Sequence, residues 1–232
     1  MADKPDLADS AQELSKFLEP GDLDSTLDRI TTAAVELIPH VDYASITIRH
    51  GDERLETVTT TDETLKELDA RQYALREGPC YDAATDRGYV VSSDLAEDPR
   101  FTNYGPFAVE LGIRSQAAFR LFERNGVQGA LNVYSGTPGA FDDLRPLSVL
   151  FQSQSAVAIS YAYEVTGLNE AVQTRTTIGE AMGIVMERYQ LNDERAFAFL
   201  TRLSQNRNIK LRLIAEEIVA EAADHSDVAA DS

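Results

Sequence analysis

The stretch that decides the fold runs from Leu147 to Arg175, LSVLFQSQSAVAISYAYEVTGLNEAVQTR. It contains one glycine and no proline. Alternating steps of four and three select Leu147, Phe151, Gln154, Ala158, Tyr161, Val165, Leu168, Val172 and Arg175, and all but Gln154 and Arg175 are apolar. A seam held over about four heptads predicts one long helix with a helix-sized surface to pack against. A coiled coil with a second copy satisfies it. So does a helix that lies on its own domain in its first half and on a partner in its second, and so does a monomeric helix folded back on a sheet. Persistence of the pattern favours the dimer, with Gln154 and Arg175 as the polar seam residues that set register.

Upstream, residues 7–18 and 22–38 read as helices, the second carrying Leu23, Leu27, Ile30, Ala34, Leu37 and Ile38 and stopping at Pro39. The period then changes. Ala44, Ile46 and Ile48 alternate with Tyr43, Ser45, Thr47 and Arg49, a half-buried strand with Leu55–Thr60 as its hairpin partner. A helix over 62–75 starts at Asp62, followed by a loop, Glu77-Gly78-Pro79-Cys80, and a short strand at Tyr89-Val90-Val91. After a turn at Asp98–Phe101 and a short helix over 103–112, Ser115–Leu121 and Gly126–Tyr134 form strands joined at Asn125-Gly126, a hairpin signal. Helices flanking a mainly antiparallel sheet make this part α+β.

Downstream, the long helix carries Ile178, Ala181, Ile184 and Val185 and ends near Tyr189-Gln190. Asn192 caps a second helix over 193–205, with Ala196, Phe197, Phe199, Leu200 and Leu203 expected to face inward. A third helix repeats Leu211, Ile214, Ala215, Ile218 and Val219 at helical spacing. The end of the chain, 223–232, reads as an acidic disordered tail. The domain plan is thus a partly helical segment over 1–19, an α+β domain over 20–163, a connecting coiled-coil helix over 147–178 that overlaps its neighbours, and a three-helix domain over 168–222.

The net charge of -18 argues against nucleic acid until it is located. Residues 1–167 carry 14 Lys and Arg against 28 Asp and Glu, whereas 168–222 carry 7 against 8. Phosphate contact is therefore expected only from the C-terminal part, where Arg188, Arg195, Arg202, Arg207, Lys210 and Arg212 lie. By charge alone, binding and ordinary solvated helix faces are evenly matched.

No catalytic set, metal set or glycine-rich phosphate loop is visible. The lone Cys80 has no resolving partner, and a structural thiol is the favoured reading over a redox sensor. Neither a secretory leader nor an apolar stretch of about 20 residues is present, so the expectation is a cytoplasmic protein without membrane contact.

Two families resemble this chain. Ile178-Gly179-Glu180-Ala181-Met182-Gly183-Ile184-Val185-Met186-Glu187-Arg188, then Ala196-Phe197, Leu200, Ser204-Gln205, Asn208, Lys210-Leu211 and Ile214–Val219, resemble the ANTAR family over the whole C-terminal domain. Glu77–Cys80, Asp98–Phe101, Gly112–Ser115, Gly129–Ser135 and Ala140–Asp142 resemble a GAF domain of the kind found ahead of ANTAR in actinobacteria.

The resemblance implies a GAF-type antiparallel sheet flanked by helices, then a coiled-coil helix leading into a three-helix bundle. It implies a homodimer that binds paired RNA stem-loops in the leaders of nascent mRNA and prevents termination, and no enzyme. RNA contact is expected from Ala181, Gly183, Arg188, Arg202, Ser204, Gln205, Arg207, Lys210 and Arg212. The family's usual lysine between the Ala and Gly of its first motif is Met182 here, which moves the burden to Arg188, Lys210 and Arg212; Tyr189 is a candidate stacking side chain. The GAF unit would sense a small molecule or mediate dimerisation. Its cofactor is unknown, and a bilin would have only Cys80 for attachment. Its expected pocket residues are Cys80, Tyr81, Phe101, Tyr104, Phe107 and Arg114. The alternative is a DNA-binding regulator with a ligand-sensing GAF domain, because a three-helix bundle can pass for a helix-turn-helix.

Overall fold

The structure, a computed structural model, describes residues 7–230, the side chains of 86, 87 and 224–230 excepted. The chain divides into two compact units, the first ending at Glu164 and the second starting at Val165.

The first unit opens with helices α1 (Leu7–Phe17) and α2 (Leu23–Leu37). Asp22 sets the start of α2, its carboxylate accepting the Ser25 amide at 2.8 Å. Strands β1 (Tyr43–Arg49) and β2 (Leu55–Thr60) follow, then helix α3 (Thr64–Leu75), helical turn α4 (Pro79–Asp82), a π-helical turn over Ala83–Arg87, strand β3 (Tyr89–Ser92), helix α5 (Tyr104–Glu110) and strands β4 (Ser115–Arg124) and β5 (Val127–Ser135). The sheet order is β2-β1-β5-β4-β3 and every pairing is antiparallel. The Asn125-Gly126 hairpin is present, both residues having positive φ. Helix α6 runs from Arg145 to Tyr189.

The period-two alternation of the strands sorts the first unit into two cores. Ala44, Ile46, Ala117, Phe119, Leu131 and Val133 turn to one face, where Leu14, Leu27, Ile30, Phe151 and Ile159 of α1, α2 and α6 cover them. Burial of each large side chain there stabilises the fold by about 1.5–3 kcal/mol. On the opposite face Ala118 and Tyr134 meet Leu65 and Leu68 of α3, Val90, Leu95, Phe101, Tyr104 and Ala108. Ser45, Thr47, Gln116 and Asn132 point the same way and are fully buried. The half-buried reading of β1 is therefore corrected: its polar face meets helices, not water.

Cys80, expected in a loop, lies in the first turn of α4. Pro79 at N1 needs no amide partner and suits that position, and a four-residue helix is too short to show a period.

The first half of the long helix lies on its own domain, as both the own-domain-then-partner reading and the folded-back reading of its seam require. Leu147, Phe151, Ile159 and Ala162 are buried within the first unit, and Gln154 donates to the Ala11 carbonyl at 3.3 Å. Val157, Tyr161, Leu168 and Val172 are exposed.

In the second unit the end of α6 packs with α7 (Asp193–Arg207) and α8 (Leu211–Ala230). Asn192 caps α7 as expected, accepting the Arg195 amide at 3.0 Å. The core is Ala181, Val185, Ala196, Leu200, Ile214 and Ala215. Phe197 and Phe199, expected inward, are 47% and 38% exposed. The inward stripe of α7 is Ala196, Leu200 and Leu203, and both phenylalanines fall off it. Helix α8 continues to Ala230, into most of the stretch read above as an acidic tail, and residues 231–232 lie outside the described residues.

Candidate functional sites: a polar interior and a basic helical surface

On its second face the sheet of the first unit holds a closed hydrogen-bond network. Asp69 of α3 sits at its centre, fully buried. Its carboxylate accepts from the hydroxyls of Tyr134 (2.5 Å), Ser45 (2.8 Å) and Thr57 (3.0 Å), and from the Gln72 amide at 3.3 Å. Burial lifts its pKa to about 6, opposed by the Tyr134, Ser45 and Thr57 hydrogen bonds.

Thr47 forms the second node. Its hydroxyl lies 2.8 Å from the Tyr73 phenol and 3.0 Å from the Cys80 sulfur, and it accepts from Asn132 Nδ2 at 2.9 Å. Gln72 Oε1 accepts the Cys80 amide at 3.0 Å, and the Tyr104 phenol donates to Gln116 Oε1 at 2.7 Å. Asn132 Oδ1 is buried with no hydrogen-bond partner among the described residues. Burial pushes the Cys80 thiol well up, and Asp69 adds to the effect, so the thiolate needed for nucleophilic or redox chemistry is disfavoured.

Of the expected pocket residues, Cys80 and Tyr104 join this network and Phe101 packs in the core beside it. Tyr81 is half-buried, and Phe107 is half-buried beneath the Arg71 guanidinium at 5.5 Å from the ring centroid. Arg114 does not belong. It forms an ion pair with Asp94, with contacts of 3.0 and 2.5 Å, in which Asp94 is held below the usual carboxylate range by the Arg114 hydrogen bond. Sequence reasoning missed Asp69, Gln72, Tyr73 and Asn132. A signal existed: Leu65, Leu68, Asp69 and Gln72 fall at i, i+3, i+4 and i+7, so the polar pair shares the buried face of α3.

In the second unit the cations divide into two kinds. Arg207 is bound to Glu217 through two contacts, 2.6 and 3.2 Å, and Arg212 lies 3.8 Å from Glu216. Among the described residues Arg175, Arg188, Arg195, Arg202 and Lys210 make no ion pair, and all five are exposed. Gly183 and Gln205 are exposed too. Ser204 is half-buried and donates to the Ile209 carbonyl at 2.5 Å, which closes the turn between α7 and α8. Ala181 is corrected as a contact residue: fully buried, it packs the helices together and offers no surface.

The GAF domain model matches residues 21–159, more than half of the chain. The chain belongs to the GAF family. An ANTAR domain follows, matched over residues 166–219. ANTAR implies an RNA-binding regulator of antitermination, and GAF a sensory or dimerisation domain; both are regulatory.

Solved structures share the fold at low identity. The GAF domain of an Acinetobacter phosphoenolpyruvate-protein phosphotransferase matches at TM-score 0.52 and 17% identity, covering 71% of this chain and 99% of that one. CepR2 from Burkholderia cenocepacia, an N-acylhomoserine lactone dependent transcription factor of the LuxR family, matches at 0.53 and 14%, covering 68% and 98%. Escherichia coli SdiA matches at 0.51 and 14%, covering 92% and 96%. No protein of curated function matches the chain significantly.

With the ANTAR unit located, Met182 acquires a place. The residue read above as replacing an expected lysine packs half-buried against the three-helix core. The GAF network is set apart from the apolar first core by its polarity, and Cys80 lies inside it. No helix among the described residues is long and apolar enough to cross a membrane.

Proposed function

We propose that the chain is a homodimeric antiterminator whose ANTAR unit binds stem-loops in nascent transcripts, with the GAF unit as its sensor. The observation that carries this reading is a set of exposed cations that make no ion pair among the described residues, Arg188, Arg195, Arg202 and Lys210 among them, on the ANTAR unit of a chain with a net charge of -18. An acidic first unit repels phosphate and leaves the second as the surface for nucleic acid. Stem phosphates suit the arginines, and an unpaired loop offers base faces to side chains.

The exposed apolar residues Val157, Tyr161, Leu168 and Val172 on α6 support the dimer. Two ANTAR units in one dimer would engage two loops of one transcript, the second contact gaining from the effective concentration set by the first. The buried polar network supports a sensory GAF unit that takes a small polar molecule, because Asn132 Oδ1 still has an acceptor to satisfy.

A gel-shift series with the full chain, comparing a two-hairpin RNA with duplex DNA of equal length, tests the reading. Tighter binding of the RNA, falling with salt, is the expected result. Preference for the duplex overturns it in favour of a DNA-binding regulator.

A further inference from the structure

Where the last turn of α6 meets α7, the rings of Tyr189 and Phe199 lie 5.4 Å apart between centroids, tilted by 35°. Tyr189 is 52% exposed and Phe199 38%. The pair walls a cleft of about 140 Å³ with a floor of Val185, Leu203 and Ile218. Arg188, Arg207, Glu217 and Glu221 form its rim. We infer that this cleft is a seat for one unstacked nucleobase of an RNA loop, a deepening of the RNA-binding reading on which it rests.

Three observations point to a base and not to another partner. A protein helix or strand needs a groove several residues long, whereas this cleft has room for one planar group. Aromatic surface left in water forgoes burial that the small core could use, unless a flat ligand covers it. The charges around it also suit a nucleotide. Arg188 adjoins Tyr189, and Arg195 and Arg202 stand four residues before and three after Phe199, the intervals that share a helix face. None of the three makes an ion pair among the described residues, so each offers its guanidinium to a phosphate on either side of the seated base. Arg207 is held at the rim by two contacts to Glu217. The remaining rim carboxylate, Glu221, is an acceptor for the amino group of a base, and it disfavours phosphate entering the cleft itself.

The test begins with an RNA of two hairpins whose loops are randomised and enriched on the full-length protein. The enriched RNA is resynthesised with single abasic residues at each loop position and titrated against the wild type, Tyr189→Leu and Tyr189→Phe. One loop position is expected at which base removal weakens wild-type binding about tenfold, the size of one base–aromatic stack. The same removal should cost Tyr189→Leu less than about twofold, with Tyr189→Phe behaving as wild type and the salt dependence of all three proteins parallel. Leucine keeps the apolar contact with Phe199, and circular dichroism confirms that the helices persist. Equal abasic penalties in wild type and Tyr189→Leu, with RNA still bound, overturn the base seat and leave the RNA-binding reading standing. Failure of the wild type to enrich any RNA overturns both.

Discussion

The phenol of Tyr134 on β5 donates to the buried carboxylate of Asp69 on α3 at 2.5 Å, tying the centre of the sheet to the helix that covers it. With Ser45, Thr57 and Gln72 also donating, the carboxylate exchanges water for fixed protein donors. Its pKa, raised from 3.8 to about 6 by burial, has a consequence for stability. Between these two values the folded state holds a proton that the unfolded state has released, so this group makes stability fall as pH rises through the window. Above about 6 its effect is constant, on the order of 3 kcal/mol unfavourable relative to acid pH. Asp69→Asn removes the titration. Urea melts at pH 4.5, 5.5 and 7 should show the wild type losing stability relative to Asp69→Asn as pH rises, and a constant difference would refute the assignment.

Cys80 should resist thiol reagents in the native state. Its sulfur is fully buried 3.0 Å from the Thr47 hydroxyl, and burial holds it protonated. A colorimetric disulfide reagent is expected to label it at a rate set by opening of the GAF unit, fast in urea and slow without it. Rapid native labelling would show an accessible thiolate.

Gly78 has φ +130°, and a Cβ there would stand 2.2 Å from Gln72 Oε1, the acceptor of the Cys80 amide. Gly78→Ala combines backbone strain with a displaced hydrogen-bonding side chain. A loss of about 1–3 kcal/mol is expected in urea melts.

Leu168 and Val172 are 66% and 58% exposed on α6. Replacing both with Asp should convert the proposed dimer to monomer in sedimentation velocity without lowering helix content, because neither side chain supports a core. Unchanged sedimentation would remove this stretch from the proposed interface.

Arg188 and Lys210 are exposed without ion pairs among the described residues. Replacing both with Ala should weaken RNA binding and lower the slope of log affinity against log salt by about 0.7–0.9 for each phosphate that the protein no longer neutralises. Glu217→Gln is the control for Arg207: it breaks an exposed, solvent-screened ion pair and releases a cation, so binding should hold or tighten.

Much of this architecture was legible in the sequence. The alternation over 43–49, the Asn125-Gly126 turn and the unbroken helix signal beyond Pro146 all correspond to elements that formed. What alternation cannot say is which solvent each face meets. Ser45 and Thr47 mark one side of β1 as polar, and water and a layer of hydrogen-bonding side chains look alike at that level. Asp69 stayed hidden because a carboxylate on a helix usually signals solvent; only its place in the stripe of Leu65 and Leu68 indicated otherwise. Phe197 and Phe199 failed for the opposite reason. Apolar type suggests burial, but a core as small as Ala181, Val185, Ala196, Leu200, Ile214 and Ala215 has one narrow stripe to fill on α7. Of the basic residues, position along the chain was readable, but which cations remained unpaired depended on Glu217 reaching Arg207 across a turn.

The sheet order places β5, the last strand made, between β1 and β4. During synthesis the hairpin of β1 and β2 must therefore wait, one edge unpaired, until residues 127–135 leave the ribosome and insert beside it. The β4–β5 hairpin can close locally, so it is the natural nucleus, and joining β1 is the slow long-range step. An open strand edge exposed through that interval is the point at which a nascent chain would pair with a neighbour instead of with itself.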